Sequence, residues 1–307
     1  MNPTITKKNI PLIDDFYVSP NTSTVVFQFE PQVFTETNAR LQKAAVLHQQ
    51  IEGKDLYILD HFFSDVEGEE MRRYSESATF SRNSYGSREA IARGEKPAQS
   101  MNGKERWQFF AKPPGAIYEL YKLLSTLSEQ LNAEIMTLPW ELCTHDSSSG
   151  SPSVIANRLE EASKESQELG KHQDCNPEER ISFEIPVLYN VGSHPSKFIN
   201  GAQGRPFLVS VMFYVTAPDF APEHGLGTVF YDDTGNIASR VRCQNMRLVL
   251  FQGDIFHSIE ESIAPKKSWR ISYVYKLLIN PREEGDQINI RLKQFFGDRC
   301  FSHGGRP

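Results

Sequence analysis

The second half of the chain is a succession of short segments with the composition of β-strands, separated by glycine, proline and other turn-forming residues. Most of them are rich in β-branched and aromatic residues, which favour strands. The segments are 136–143, 154–159, 183–190, 207–216, 227–232, 247–251, 255–260 and 269–278. Many short strands at this spacing predict a sandwich or a jelly-roll barrel.

The first half of the chain has the periodicity of helices. Apolar residues at threes and fours predict a helix that begins near Thr37 and continues to Leu47, and a more apolar helix over 117–131. Between them, Ser64 is a suitable N-cap for a charged helix over 65–77. We therefore expect an α+β chain that is mainly β, with a jelly-roll, cupin-like core flanked by helices from the N-terminal half.

The charge of the chain argues against nucleic acid as a partner. The chain of 307 residues has a formal net charge of -6 and a pI near 5.8. Nucleic-acid binding, in contrast, usually depends on basic patches that meet the phosphates. No apolar run approaches the ~20 residues of a membrane-spanning helix, and the N-terminus lacks the apolar core of a secretion signal. We expect a cytoplasmic protein that does not associate with membranes, and the sequence carries no signal for an oligomeric state.

The tripeptide His172-Gln173-Asp174 places two types of metal ligand one residue apart. In an extended chain alternate side chains share a face, so His172 and Asp174 point the same way and Gln173 points to the other side. An imidazole and a carboxylate on one face can occupy neighbouring positions around a metal ion. A surface pair on a strand is the alternative, and a further histidine has to distinguish the two.

The third ligand has to come from another part of the chain. Apart from the early His48 and His61, the remaining histidines are His145, His194, His224, His257 and His303. We favour His257, because an apolar strand, a turn at Gly253 and a second strand present it, and a strand fixes a ligand better than a loop does. Two histidines and one carboxylate on one face leave other positions of the metal open, as in non-haem Fe(II) oxygenases.

The segment 268–275 predicts a strand that follows the His257 region. Alternation places Arg270, Ser272 and Val274 on one of its faces. A guanidinium in the middle of a strand is costly to bury unless an anion meets it, and it pairs a carboxylate through two parallel hydrogen bonds. We expect Arg270, with the Ser272 hydroxyl, to receive the carboxylate of a bound molecule. An internal salt bridge with an aspartate or a glutamate is the alternative.

His172-Gln173-Asp174, His257 and Arg270-Ile271-Ser272 together resemble the signature of the Fe(II)- and 2-oxoglutarate-dependent oxygenases, which is His-x-Asp, a distant His and, a strand later, Arg-x-Ser. The resemblance extends over residues 55–280. It implies a double-stranded β-helix, Fe(II) held by the two histidines and Asp174, 2-oxoglutarate anchored by Arg270 and Ser272, and O2 as the oxidant. The chain then divides into an N-terminal extension packed on the core, the oxygenase domain and a C-terminal extension, over residues 1–54, 55–280 and 281–307.

A weaker similarity concerns the cosubstrate. Asn157-Arg158-Leu159 is similar to the Asn-Arg-Tyr of some members of this family, which implies that Asn157 helps to hold 2-oxoglutarate. Leu159 departs from the family tyrosine, so Tyr189 or Tyr214 would have to supply that hydroxyl.

The resemblance implies hydroxylation of a C–H bond with release of succinate and CO2. Asp174 stands where halogenating relatives carry a small residue, which favours hydroxylation over halogenation. No residue is predicted as a catalytic acid or base. We expect the substrate to be a small molecule of the amino-acid or natural-product type, a peptide or a protein side chain. The polar loop over 81–103, with Arg82, Arg88 and Arg93, is a candidate lid or a solvated loop.

Two readings from other classes stay open. A cupin-like metal- or small-molecule-binding protein would carry the same ligands without turnover. A zinc hydrolase also uses two histidines and a carboxylate, and it needs a general base, for which Glu260 and Asp254 are the weak candidates.

Overall fold

A computed structural model of the protein describes residues 5–6, 24–25, 32–82, 99–101, 112–137, 154–160, 171–174, 200–203, 207–261, 268–283 and 285–297. The helices in these ranges are α1 (Gln32–Lys43), α2 (Asp65–Ser77), α3 (Gly115–Gln130) and α4 (Ile288–Gly297). The strands are β1 (Ile5–Thr6), β2 (Thr24–Val25), β3 (Ala45–Ile51), β4 (Lys54–Asp60), β5 (Phe80–Arg82), β6 (Gln99–Met101), β7 (Ala133–Thr137), β8 (Val154–Glu160), β9 (Phe207–Thr216), β10 (Thr228–Tyr231), β11 (Ile237–Val241), β12 (Leu248–Gln252), β13 (His257–Ile259) and β14 (Trp269–Pro281).

Most of these strands belong to one antiparallel sheet, which we call the large sheet. Its order is β3-β4-β12-β9-β14-β8-β6-β5, and β7 pairs with the far end of β14. The small sheet consists of β11, β10 and β13 in the described residues. Strands β9 and β14 form the centre of the large sheet, where they pair over ten residues from Arg270↔Thr216 to Ile279↔Phe207.

The two faces of the large sheet bury different apolar clusters. On β9, Val211 and Phe213 belong to the cluster that includes side chains of the four helices, whereas Met212 and Tyr214 belong to the cluster shared with Phe230 of the small sheet. The alternation of β9 thus divides a helix-covered face from a face that packs on a second sheet. We call the region between the two sheets the inter-sheet space. The expectation of a mainly β, jelly-roll core flanked by helices is confirmed.

The helices agree with the sequence periodicity in two places of three. Helix α3 covers the predicted segment over 117–131 except for its last residue, and α2 begins after a Ser64 N-cap, as expected. The helix predicted from Thr37 to Leu47 is wrong at both ends. Helix α1 begins at Gln32 and ends at Lys43, and the chain then enters β3, which pairs with β4 from Ala45↔Asp60 to Ile51↔Lys54. Sheet pairing here overrides a helix-like apolar pattern.

Strand β3 shows how the N-terminal segment joins the core. It lies at one edge of the large sheet and pairs with β4 across the predicted boundary between residues 54 and 55. The division of the chain into residues 1–54, 55–280 and 281–307 stays a prediction. None of the helices in the part of the chain that the structure covers is both long and apolar enough to cross a bilayer.

Glu67 ties the beginning of α2 to α1. Its carboxylate accepts hydrogen bonds from Arg40 Nη1 at 2.9 Å, from Arg40 Nη2 at 2.7 Å and from the Ser64 backbone N–H at 2.8 Å. Burial acts to raise the pKa of Glu67, but the hydrogen bonds from Arg40 and Ser64 outweigh it, and the pKa lies below its usual range. The ionised carboxylate therefore stabilises the folded protein.

We expect Glu67→Gln to lower the free energy of unfolding by about 2 kcal/mol at neutral pH, because it weakens charge-assisted hydrogen bonds. A depressed folded pKa contributes stability above the unfolded pKa, and this contribution is lost as the pH falls through the folded pKa. Urea unfolding of both proteins should therefore show a difference that shrinks below about pH 4. A difference that stays constant with pH would contradict the role of the charge.

Candidate metal centre and carboxylate site

A pair of backbone hydrogen bonds brings His172 and His257 together. The N–H of His172 donates to the carbonyl of His257 at 2.9 Å, and the N–H of His257 donates to the carbonyl of His172 at 2.8 Å. The two residues are thus directly opposite each other in an antiparallel bridge, with ring centroids 4.3 Å apart. Because β13 carries His257, the tripeptide lies alongside the small sheet.

Asp174 completes the group from the same face as His172. Its Oδ1 lies 3.6 Å from Nε2 of His172 and 3.8 Å from Nε2 of His257. One ligand atom from each of the three residues lies within 4.8 Å of the others, and this is the group in the described residues with the spacing of a metal site. Asp174 and His257 are buried, and His172 is half-buried.

The tripeptide is also fixed through residues that do not face the metal site. Gln173 points away, as alternation predicts, and its Nε2 donates to the backbone carbonyl of Asp254 at 2.7 Å. The Asp254 carboxylate in turn accepts from Asn200 Nδ2 at 2.9 Å. The Lys171 ammonium lies 4.9 Å from the ring centre of Tyr231. These contacts hold the tripeptide against the turn that precedes β13.

The protonation of His257 suits a metal ligand. Its Nδ1 lies 3.0 Å from the Ile255 carbonyl, which can only accept, so Nδ1 carries the proton and the lone pair of Nε2 faces Asp174. Burial, reinforced by the neighbouring His172, lowers the pKa of His257 to about 4, despite the opposing effect of Asp174. The imidazole is therefore neutral at neutral pH, as a metal requires.

Two residues that the sequence reasoning missed hold the Asp174 carboxylate. Lys276 on β14 donates to Oδ1 and Ser210 on β9 donates to Oδ2, and both side chains are buried. Burial acts to raise the pKa of Asp174, but Lys276 and then the two histidines hold it well below its usual range. A signal for both residues exists in the sequence, since Lys276 shares the face of Arg270 by alternation and Ser210 interrupts an apolar strand.

Arg270 is buried without a carboxylate partner among the residues that the structure describes. It is 1% exposed, and its Nε and Nη1 have no hydrogen-bond partner in the described residues. Its guanidinium carbon lies 5.7 Å from the ring centre of Tyr214. Burial raises the pKa of Cys243, the other titratable neighbour, to about 12, and it raises the pKa of Tyr214 as well. Both neighbours are neutral, so the predicted alternative of an internal salt bridge with Asp or Glu has no support within the described chain.

The other predicted cosubstrate residues lie around Arg270 in the large sheet. Ser272 is buried, and it lies opposite Asn157 on the neighbouring strand β8 and opposite Tyr214 on the other neighbouring strand, β9. The geometry therefore places Tyr214 beside Arg270, whereas Tyr189 lies outside the described residues. Leu159 pairs with Arg270 on β8 and offers no hydroxyl.

Other predicted residues are engaged elsewhere or are not described. The Asp254 carboxylate binds Asn200 and Lys54. Oε1 of Glu260 lies 3.1 Å from Nη1 of Arg240. Both candidate general bases are therefore engaged away from the three candidate ligands. His48 pairs with Asp55. His145, His194 and His303 lie outside the described residues, as do Arg88, Arg93 and most of the 81–103 loop.

The donor set fits a first-row divalent metal. Two neutral imidazole nitrogens and one carboxylate oxygen are the ligands of the 2-His-1-carboxylate Fe(II) centres, and they also suit zinc. The unpaired guanidinium fits a carboxylate ligand, because a charged fork of donors is costly to bury without an anion. The site as a whole therefore suits a metal together with a carboxylate-bearing molecule.

The sequence matches no family model and no curated protein. Solved structures with similarity include a prolyl-4-hydroxylase of Pseudomonas putida, at 11% identity and a TM-score of 0.34, covering 82% of this chain and 100% of that chain. A prolyl hydroxylase of Trichoplax adhaerens, in complex with a hypoxia inducible factor peptide fragment, has 14% identity and a TM-score of 0.38, covering 82% and 92%. HygX of Streptomyces hygroscopicus, with nickel and 2-oxoglutarate bound, has 13% identity and a TM-score of 0.40, covering 74% and 83%. At such TM-scores these similarities carry no argument about activity.

Proposed function

We propose that the protein is an Fe(II)- and 2-oxoglutarate-dependent oxygenase that hydroxylates a C–H bond of a small molecule or a peptide. The observation that carries the proposal is the buried Arg270, which has no anionic partner among the described residues. By alternation Arg270 shares one face of β14 with Lys276, which binds Asp174 of the His172, Asp174 and His257 group. A metal centre alone suits many chemistries. A metal centre with a nearby unpaired guanidinium suits a cosubstrate that has a carboxylate to place there.

The connection between the two parts of the site runs through the small sheet. The hydroxyl of Tyr214, beside Arg270, lies 2.6 Å from Oγ1 of Thr228 on β10. Two residues further along β10, Phe230 pairs with His257. Two residues of a strand span roughly 7 Å. Arg270 and the three ligands therefore border one region of the inter-sheet space, and a short dicarboxylate such as 2-oxoglutarate suits it.

Each residue has a defined task in this proposal. His172, Asp174 and His257 hold Fe(II), and Arg270 with Ser272 anchors the distal carboxylate of 2-oxoglutarate, next to Asn157 and Tyr214. When bound, Fe(II) with 2-oxoglutarate and O2 supplies the oxidising power that cleaves the substrate C–H bond, with release of succinate and CO2. The protein orients the reactants and excludes water, and the apolar side chains of Phe230 and Phe251 around His257 contribute to that exclusion.

The zinc hydrolase finds less support, because it needs a general base at the metal and both residues nominated for that role are bound elsewhere. A binding protein would use the same three side chains without turnover, so a turnover assay distinguishes it from an oxygenase. The substrate is proposed as a small molecule or a peptide, and the cytoplasmic location stays a prediction.

The test is to bind iron and 2-oxoglutarate to anaerobically purified protein and then to screen for turnover. We expect a visible absorption band when 2-oxoglutarate is added to the iron-loaded protein, and succinate release with one class among amino acids, peptides and cell extracts. Metal analysis of the purified protein distinguishes the alternatives. Stoichiometric zinc without the band would support the hydrolase, and the band without substrate-linked succinate would support the binding protein.

A further inference from the structure

Lys276 contacts the carboxylate oxygen that faces both imidazoles. Its ammonium binds Oδ1 of Asp174, which is also the atom 3.6 Å and 3.8 Å from the two histidine Nε2 atoms. The Lys276 side chain is 4% exposed, so its charge has no access to bulk water. The position at which a metal would meet Asp174 thus lies next to a fixed positive charge.

The large sheet contributes one donor to each oxygen of Asp174. Ser210 and Lys276 are paired residues of β9 and β14, and they bind Oδ2 and Oδ1 respectively. The serine donor is neutral and occupies the oxygen that faces away from the histidines. Only the lysine combines a full charge with the oxygen that a metal needs, so the two donors have different consequences for metal binding.

We propose that Lys276 is a positioning residue that sets the metal affinity of this site, because its ammonium holds Asp174 in place and competes with the metal ion for Oδ1. A buried ammonium requires an anionic partner, and a buried carboxylate requires a cationic one. Asp174 would exchange Lys276 for a bound divalent ion as its counter-ion, and the buried ammonium would then be repelled at short range. The metal therefore binds more weakly than it would to the same three ligands without the lysine.

The proposal relies on metal binding by the three ligands but not on oxygenase activity. Replacing Lys276 by methionine removes the charge and keeps the length of the side chain. We expect Lys276→Met to bind Co²⁺ at least tenfold more tightly than the unaltered protein, in titrations without 2-oxoglutarate or O2. We also expect a lower Tm of the chelator-treated variant, with a larger Tm gain on addition of Co²⁺, since tighter binding to the folded state adds stability by mass action.

Two further variants separate competition from simple loss of a contact. Lys276→Gln keeps a donor to Asp174 without the charge and is expected to bind Co²⁺ more tightly as well. This variant keeps the test possible if Lys276→Met folds poorly. Ser210→Ala removes the other donor and is expected to leave the affinity unchanged or lower. Equal or weaker Co²⁺ binding by the Lys276 variants would overturn the proposal. If the Lys276 variants bind Co²⁺ more tightly but the unaltered protein forms no succinate with any substrate, the result would count against the oxygenase and leave the role of Lys276 intact.

Discussion

Asp174→Ala is expected to abolish substrate-linked succinate formation and to weaken Co²⁺ or Mn²⁺ binding by at least about a hundredfold. Mutation of residues that only hydrogen-bond to a metal ligand already lowers metal affinity by about tenfold to a hundredfold, and loss of the ligand itself should cost at least as much. The substitution removes the anionic ligand of the group formed with His172 and His257. It also leaves the buried Lys276 ammonium without the carboxylate it binds. Breaking a buried pair from one side costs about 3–5 kcal/mol, so the variant should also unfold at lower denaturant.

The double variant Asp174→Ala, Lys276→Met separates ligand loss from destabilisation. With both charges removed no buried ion stays unpaired, and we expect most of the lost stability to return. Metal binding and turnover should stay absent, because two imidazoles alone do not complete the site. Measurable parameters are the urea midpoint, the Co²⁺ dissociation constant and succinate release. Normal turnover in the single variant would contradict the role of Asp174.

The three proposed metal ligands illustrate what alternation and strand context can predict. A period of two places His172 and Asp174 on one face without any tertiary information, and the structure has them there with Gln173 bound to the opposite side. The flanking strands favour His257 in the sequence, and an isolated antiparallel bridge is what brings it to His172. The local pattern does not encode that bridge.

Lys276 and Ser210 mark the limit of that reasoning. Alternation places Lys276 on the face of Arg270, but a lysine in a strand is most often a solvated residue, and only the position of β9 and β14 behind the tripeptide turns it inward. Ser210 reaches Asp174 from the paired position. Contacts between residues far apart in the chain depend on sheet order, which the local pattern does not encode.

The β3 segment shows a different limit. Ala45 and Leu47 fit the helical period that continues from Leu41, yet they belong to a strand whose pairing with β4 spans seven residues. Short apolar stretches are compatible with both periods, and here the partner strand decides. The predicted end of the helix was therefore displaced by four residues, from Leu47 to Lys43.

Arg270→Met gives the sharpest separation of a binding role from a structural one. The guanidinium is buried, and two of its nitrogen atoms have no partner in the described chain. We expect the variant to bind 2-oxoglutarate at least about a hundredfold more weakly, because it loses two charge-assisted hydrogen bonds of about 1.5–3 kcal/mol each. Without cosubstrate, the same variant should be more stable by about 1–3 kcal/mol, since an unsatisfied buried polar group is removed.

The sign of the stability change decides between the two readings of Arg270. A structural salt bridge would make Arg270→Met destabilising by about 3–5 kcal/mol, as for any buried pair broken from one side. A receptor for a ligand carboxylate makes it stabilising, together with loss of the absorption band that 2-oxoglutarate produces with iron. Arg270→Lys is the matched control, because it keeps the charge and loses the planar fork, and its affinity for 2-oxoglutarate should be intermediate. A destabilised Arg270→Met variant with unchanged 2-oxoglutarate binding would remove the observation on which the oxygenase proposal stands.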